Sequence, residues 1–176
     1  MITIAPYCNS WPTAFEAEAW ALQSALGSDA LRIEHVGSTS VPGLDAKPVI
    51  DIQVSVRSLD LIARYCQVLS QLDYRFISVG DFDLIYPFFS KPSVSPSTHH
   101  VHLCLAGGHQ ELKHIAFRNH LRASPQDAAE YVNLKRRLAA KHRGDTLASR
   151  EAYSLSKSEF VRRVLETSGI PWSDHQ

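Results

Sequence analysis

The chain is poor in cysteine, has no long apolar run and carries no excess of either charge. Cys8, Cys66 and Cys104 are its three cysteines. None belongs to a Cys-x-x-Cys pair, so there is no disulfide framework and no closely spaced structural zinc site. An odd count leaves at least one thiol unpaired within the chain, and free, mostly buried thiols in a reducing compartment are expected. No stretch approaches the roughly 20 apolar residues of a membrane helix. The start, Met1 to Pro6, lacks the basic and long apolar segments of a signal peptide. A soluble, cytoplasmic protein with no membrane partner is expected. Lys plus Arg and Asp plus Glu both number 18. That balance argues against general coating of nucleic acid, which asks for a basic surface, but leaves room for a local basic site.

The composition is that of an ordinary globular protein, with 44% hydrophobic and 20% charged residues. At 176 residues the chain predicts one domain over 1–176. Ser10-Trp11-Pro12 opens a helix whose apolar face is Phe15, Ala19, Leu22 and Leu26, and Gly27 stops it. Leu31 to Val36 reads as a short strand, and residues 48–56 as a central one. Leu59 to Leu72 reads as a helix. Strands follow at about Tyr74–Val79, Leu84–Phe89 and His100–Leu105, with a serine- and proline-rich loop at 90–97. Beyond Gly107-Gly108 the chain reads as helical: Gln110–Leu121, then Ser124-Pro125 toward His142, then a helix ending near Thr167 behind a capping box at Ser156–Glu159. The expected fold is α/β (α+β), a mixed sheet flanked by helices with a C-terminal helical cluster.

The run Ile33 to Val41, with Gly37-Ser38-Thr39-Ser40 at its centre, reads as a strand and a turn of small residues. Backbone amides of such a turn, with three hydroxyls, can cradle a phosphate. The same hydroxyls can instead cap a short helix. Asp51 stands in the apolar run Val49 to Val56, where an unpaired charge is costly. It is read either as a ligand or metal contact or as a brace for the Gly37 turn. His100 and His102 share a strand face. If the strands are neighbours, His35, Asp51 and His102 can converge on one ion, and imidazoles plus a carboxylate favour Zn²⁺ or Mn²⁺ over Mg²⁺. The bland alternative is a hydrogen bond from His102 to Asp51 or His35. Lys47 precedes the Asp51 strand and either leans toward the phosphate or faces solvent. His114, Arg118 and Arg122 form a stripe at i, i+4, i+8, either a solvated face or an anion clamp. Lys135 and Lys157 are further basic candidates from the C-terminal helices.

These segments, with His100-Val101-His102-Leu103, the helix His114 to Arg122, Tyr131-Val132-Asn133-Leu134-Lys135, Tyr153 to Phe160 and Tyr7 to Phe15, resemble the GrpB-like family of small bacterial proteins over nearly the whole chain. The resemblance implies a fold like that of the nucleotidyltransferase superfamily, and kinship with a domain fused to some dephospho-coenzyme A kinases. It supports Arg118 and Lys135 over Arg136 and Arg137. A nucleotidyltransferase of this fold carries a Gly-Ser or Gly-Gly turn, then two carboxylates at i and i+2 on a strand, which hold two metal ions. Here the first is Asp51 but the second position is Gln53, so two-metal transfer is doubtful. An arginine expected ahead of Phe88-Phe89-Ser90-Lys91 is replaced by Tyr86-Pro87.

Three functions compete. The first is recognition of a small phosphorylated ligand or nucleotide at Gly37–Ser40 and Asp51, with or without catalysis and with a divalent cation, Mg²⁺, Mn²⁺ or Zn²⁺. The second is a metal-dependent enzyme using His35, Asp51 and His102. The third is a noncatalytic interaction module. Neutral charge and Gln53 favour the first or third. A homodimer is left open, since the C-terminal helices can pack on the domain or on a second copy.

Overall fold

The structure, a computed structural model, describes residues 3–94, 96–141, 152, 153 and 155–171. Five strands form one mixed sheet in the order β1-β2-β5-β4-β3. They are β1 (Ala30–Val36), β2 (Ile50–Val56), β3 (Arg75–Ile77), β4 (Phe88–Lys91) and β5 (His99–Leu105). The central pair β2 and β5 is parallel, and the other neighbours are antiparallel. Helices α1 (Ser10–Leu26) and α2 (Ile62–Ser70) pack on one face of the sheet. Helices α3 (His109–Ala123), α4 (Pro125–Lys141) and α5 (Ser158–Thr167) follow β5, and α3 covers the other face. None of the described helices is long and apolar enough to cross a membrane.

The two faces follow from β2, where Ile50, Ile52, Val54 and Val56 alternate with Asp51, Gln53 and Ser55. Side chains of a strand point alternately to opposite faces. The aliphatic set meets Leu22, Leu69, Phe89, Val101 and Leu103 in a dry core. The polar set lies under α3, so each member must find a hydrogen-bond partner there. Ser55 Oγ donates to Glu111 Oε1 at 2.5 Å, and Gln53 Nε2 donates to the Glu111 carbonyl at 3.4 Å.

Glu111, on the first turn of α3, holds that helix on the sheet. Its buried carboxylate accepts Nε and Nη2 of Arg32 at 2.6 and 2.7 Å and the Gly107 amide at 2.6 Å. It therefore joins β1, β2 and the β5–α3 turn through one acid. The hydrogen bond from Arg32 outweighs the upward push of burial, and the donors Ser55 and Gly107 add to it, so the carboxyl is held at about 2. A second core joins Leu121 of α3, Tyr131 of α4 and Phe160 and Val164 of α5 to Val41 and Leu44, just past the Gly37 turn.

Three expectations are corrected. The stretch expected to begin the fourth strand at Leu84 starts as a one-turn helix, Gly80–Leu84, and β4 runs Phe88–Lys91 into the expected loop. Asp83 terminates extended structure by accepting from Ser78 Oγ and the Val79 amide. The capping box at Ser156 does not form. Ser156 Oγ donates back to the Ala152 carbonyl, and α5 starts at Ser158 behind Lys157. The first helix also lacks a side-chain cap at Asn9, and Ser10 lies inside it. His142 lies outside the described residues.

The Glu111 clamp has a pH signature. A carboxyl held below its ordinary value adds stability that is present above the unfolded-state value, here 4.5, and is lost as pH falls toward 2. Glu111→Gln removes that contribution. Unfolding free energy measured by urea titration across this range should fall more steeply for the native protein than for the variant. Parallel curves would contradict the clamp.

Candidate functional site

The site begins where β1 ends. Gly37 has φ 68°, a left-handed value that glycine adopts at little cost. A Cβ there would come within 2.9 Å of Asp51 Cβ, and nearer still to Asp51 Oδ2. The turn thus lies directly against the Asp51 carboxylate. Val36 and Asp51 are register partners on β1 and β2, and Asp51 and His100 are partners on β2 and β5. His100 Nδ1 donates to Asp51 Oδ1 at 3.1 Å. Burial pushes the Asp51 carboxyl up. The His100 hydrogen bond, with the fields of His100 and Lys157, more than offsets this and leaves it below the usual carboxylate value. Asp51 is an anion at neutral pH.

Asp51 forms part of the wall of a cavity of about 330 Å³ between the Gly37 turn, β5, α3 and the start of α5. Gly37, Ser38 and His102 line it, as do Lys113, His114, Tyr131 and Lys157. Burial lowers Lys113 to about 8; burial also lowers Lys157 to about 8, against the pull of Asp51. At pH 7 about nine-tenths of each remains charged. Four rings stack beside them. Phe88 lies on His102 at 4.9 Å between centroids, His102 on Tyr86 at 4.6 Å, and Tyr86 on His114 at 4.6 Å. Burial lowers His102 to about 3 and His114 to about 4, so both are neutral. His114 Nδ1 donates to the Gln110 carbonyl at 2.7 Å, which leaves Nε2 as a lone-pair nitrogen. His102 Nδ1 is buried and makes no hydrogen bond among the described residues. Among the described lining residues the cavity therefore has two ammonium groups and one carboxylate, beside neutral rings.

Gly37, Ser38, Asp51 and His102 come together as lining residues. The other sequence candidates go elsewhere. Thr39 Oγ1 donates to the Val49 carbonyl at 3.2 Å, and Ser40 Oγ to the Gly37 carbonyl at 2.6 Å. Both hydroxyls brace the turn, and neither residue lines this cavity. The proposed triad of His35, Asp51 and His102 does not converge. His35 is the register partner of Ile52, so its ring points to the opposite sheet face from Asp51. There it stacks on Phe15 at 4.7 Å and donates from Nε2 to Thr39 Oγ1. No group of three potential metal-binding side chains is found among the described residues.

Arg118 does not line this cavity either. Its Nη1 donates to Glu34 Oε2 at 2.6 Å and to the His35 carbonyl at 2.9 Å, beyond the turn. Lys135 donates from Nζ to the Asp45 carbonyl and lies over the Tyr131 ring, behind the cavity wall. Lys47 is exposed, near enough to Lys157 to lower its pKa. Gln53 is fully buried: Tyr86 Oη donates to its Oε1 at 3.1 Å. The i+2 position is thus sealed beneath a tyrosine. Lys113 was not anticipated. The signal for it was the set Lys113, His114 and Phe117, which shares one side of α3.

A mixed sheet flanked by helices, with this turn against one strand carboxylate, defines the class. The chain belongs to the GrpB family: the profile described as GrpB protein matches residues 1–167. A UPF0157 protein of Pseudomonas aeruginosa is 40% identical over 93% of this chain and 66% of its own length. UPF0157 protein YqkA of Bacillus subtilis is 30% identical over 95% of this chain and 47% of its own length. The chain thus spans about half to two thirds of these two relatives. A dephospho-CoA kinase of Mycolicibacterium paratuberculosis is 27% identical, with 98% of this chain matched to 47% of that protein. The crystal structure of conserved protein GrpB from Enterococcus faecalis matches with a TM-score of 0.81 and 34% identity, covering 94% of this chain and 96% of that one.

The sealed position makes Gln53→Asp a structural test. The shorter acid would leave the Tyr86 hydroxyl and the Glu111 carbonyl without their partner and would bury a carboxyl. A loss of about 2–4 kcal/mol is expected. The loss should be smaller below about pH 3, where the acid is largely neutral in both states, and should grow as pH rises. Urea unfolding at two pH values measures it. Unchanged stability at neutral pH would show that position 53 reaches solvent.

Proposed function

We propose that the protein binds a phosphate-containing ligand, with nucleotides the leading class, in the cavity between Gly37 and Lys157. The observation that carries this reading is that, among the described lining residues, the ammonium groups of buried Lys113 and half-buried Lys157 share one cavity with a single ionised carboxylate, Asp51. That charge asymmetry favours an anion. A volume of about 330 Å³ is small for a ligand pocket. It suits the phosphate end of a nucleotide, with the remainder extending outward. The Mycolicibacterium paratuberculosis relative named as a dephospho-CoA kinase, 47% of which this chain matches, lends support, since a kinase handles phosphoryl groups.

Asp51 repels a phosphate unless a cation lies between them. Magnesium is commonly held by one or two carboxylates together with substrate phosphates and waters. Asp51 fits that role as a hard, ionised ligand, and such an ion would screen it from the phosphate. The chain does not fit a second ion, because Gln53 is uncharged and covered by Tyr86. The function proposed is therefore binding with at most one cation, rather than two-metal nucleotidyl transfer.

Calorimetric titration with pyrophosphate and with ADP, with and without Mg²⁺, tests this. Binding should be tighter with Mg²⁺, and a ligand at a hundred times its Kd should stabilise the fold by about 2.7 kcal/mol. Lys157→Met keeps most of the side-chain bulk and should weaken binding at least tenfold. Asp51→Asn should remove the Mg²⁺ dependence. Absence of binding by either probe, or equal affinity in Lys157→Met, would overturn the assignment.

A further inference from the structure

A second cavity, of about 280 Å³, lies on the other side of the Gly37 turn, and Arg118, Arg122 and His35 line it. Its two arginines are fixed at one end and open at the other. Arg118 is nine-tenths buried, with Nη1 on Glu34 and the His35 carbonyl and Nε on Asn119 Oδ1 at 3.0 Å. Arg122 places Nε and Nη2 on the Ser40 carbonyl at 3.0 and 2.7 Å. Arg118 Nη2 and Arg122 Nη1 make no hydrogen bond among the described residues. The two charges are close enough for Arg118 to lower the pKa of Arg122. Guanidinium groups already oriented by backbone carbonyls bind an oxyanion without first losing rotamer freedom.

The surroundings select the kind of anion. Glu16 and Glu34 line the same cavity, so the formal charge of its described lining residues balances to zero. His35 adds none, since burial, and then the nearby arginines, lower it to about 4. A cavity without net charge attracts neither anion at long range, and a dianionic phosphate costs more to desolvate there than a monoanion. A carboxylate carries one charge and a planar pair of oxygens that matches guanidinium N–H groups. The remaining walls are apolar or aromatic, with Phe15 stacked on His35 and Ile33, Pro12 and Pro42 beside them. We propose that this cavity binds a small monocarboxylate with an apolar body, its carboxylate on the open N–H groups of Arg118 and Arg122 and its body against Phe15 and His35. The site stands apart from the Asp51 cavity and does not depend on it.

Phenylacetate is the probe, with inorganic phosphate as the comparison, in titration calorimetry on the full chain. A Kd on the order of 1 mM is expected for so small a ligand. Arg122→Gln, at an exposed position, should raise it at least tenfold while keeping the native melting temperature to within a few degrees. Arg118→Lys keeps the charge but loses the planar fork, and should weaken binding similarly. Lys157→Met, in the other cavity, should leave phenylacetate binding unchanged. Intermolecular nuclear Overhauser effects from phenylacetate to the assigned Phe15 and His35 ring protons read the location without any substitution. Absence of binding at tens of millimolar overturns the proposal. So does undiminished binding to a folded Arg122→Gln, or phosphate binding as tightly as phenylacetate.

Discussion

The contact between Gly37 and the Asp51 carboxylate is the constraint on which the rest of the site depends. A side chain at position 37 would collide with Asp51, so the turn can lie against β2 only with a glycine there. The turn then delivers Val41 and Leu44 into the core of the C-terminal helices. Those helices bring Lys157 to the cavity from α5 and Tyr131 from α4. His100, the register neighbour of Asp51, fixes the carboxylate from the other side. One close approach thus aligns two strands, a turn and a helical cluster around a single charge.

The sheet is unusual in burying polar groups on one of its faces. Covering Asp51, Gln53, Ser55 and His102 with α3 lowers the local dielectric and strengthens every interaction there. Each group answers differently. Ser55 and Gln53 are satisfied by Glu111 and Tyr86, His102 and His114 give up their charge, and Asp51 keeps its own because His100 donates to it. The lysines remain charged at the cavity edge. The outcome is a floor of neutral rings beside a small charged opening.

Much of this was legible in the residues. The β-branched residues through Val49–Val56 foretold a central strand and the small residues at 37–40 a turn beside Asp51, but reading that strand as an apolar run hid its polar face. What failed was parity and reach. Whether His35 faces Asp51 depends on a one-residue difference in register between β1 and β2, and such a slip exchanges the two faces. The helical stripe from His114 to Arg122 was real, but eight residues span about 12 Å of helix axis. His114 therefore meets the Asp51 cavity while Arg118 and Arg122 lie beyond the turn. Glu111 was invisible as a clamp because its partners Arg32 and Ser55 are far away in sequence. The short helix at Gly80–Leu84 was missed because Phe82, Leu84 and Ile85 mimic strand composition, whereas the local bonds of Asp83 decide the backbone.

A crystal structure of the protein grown with pyrophosphate and Mn²⁺ tests the central claim most directly, because anomalous scattering locates the ion and the phosphates independently. The account predicts one manganese on Asp51, none near Gln53, and phosphate oxygens within hydrogen-bonding distance of Lys113 or Lys157. Two manganese ions on β2, or phosphate bound away from this cavity while it stays empty, would contradict it.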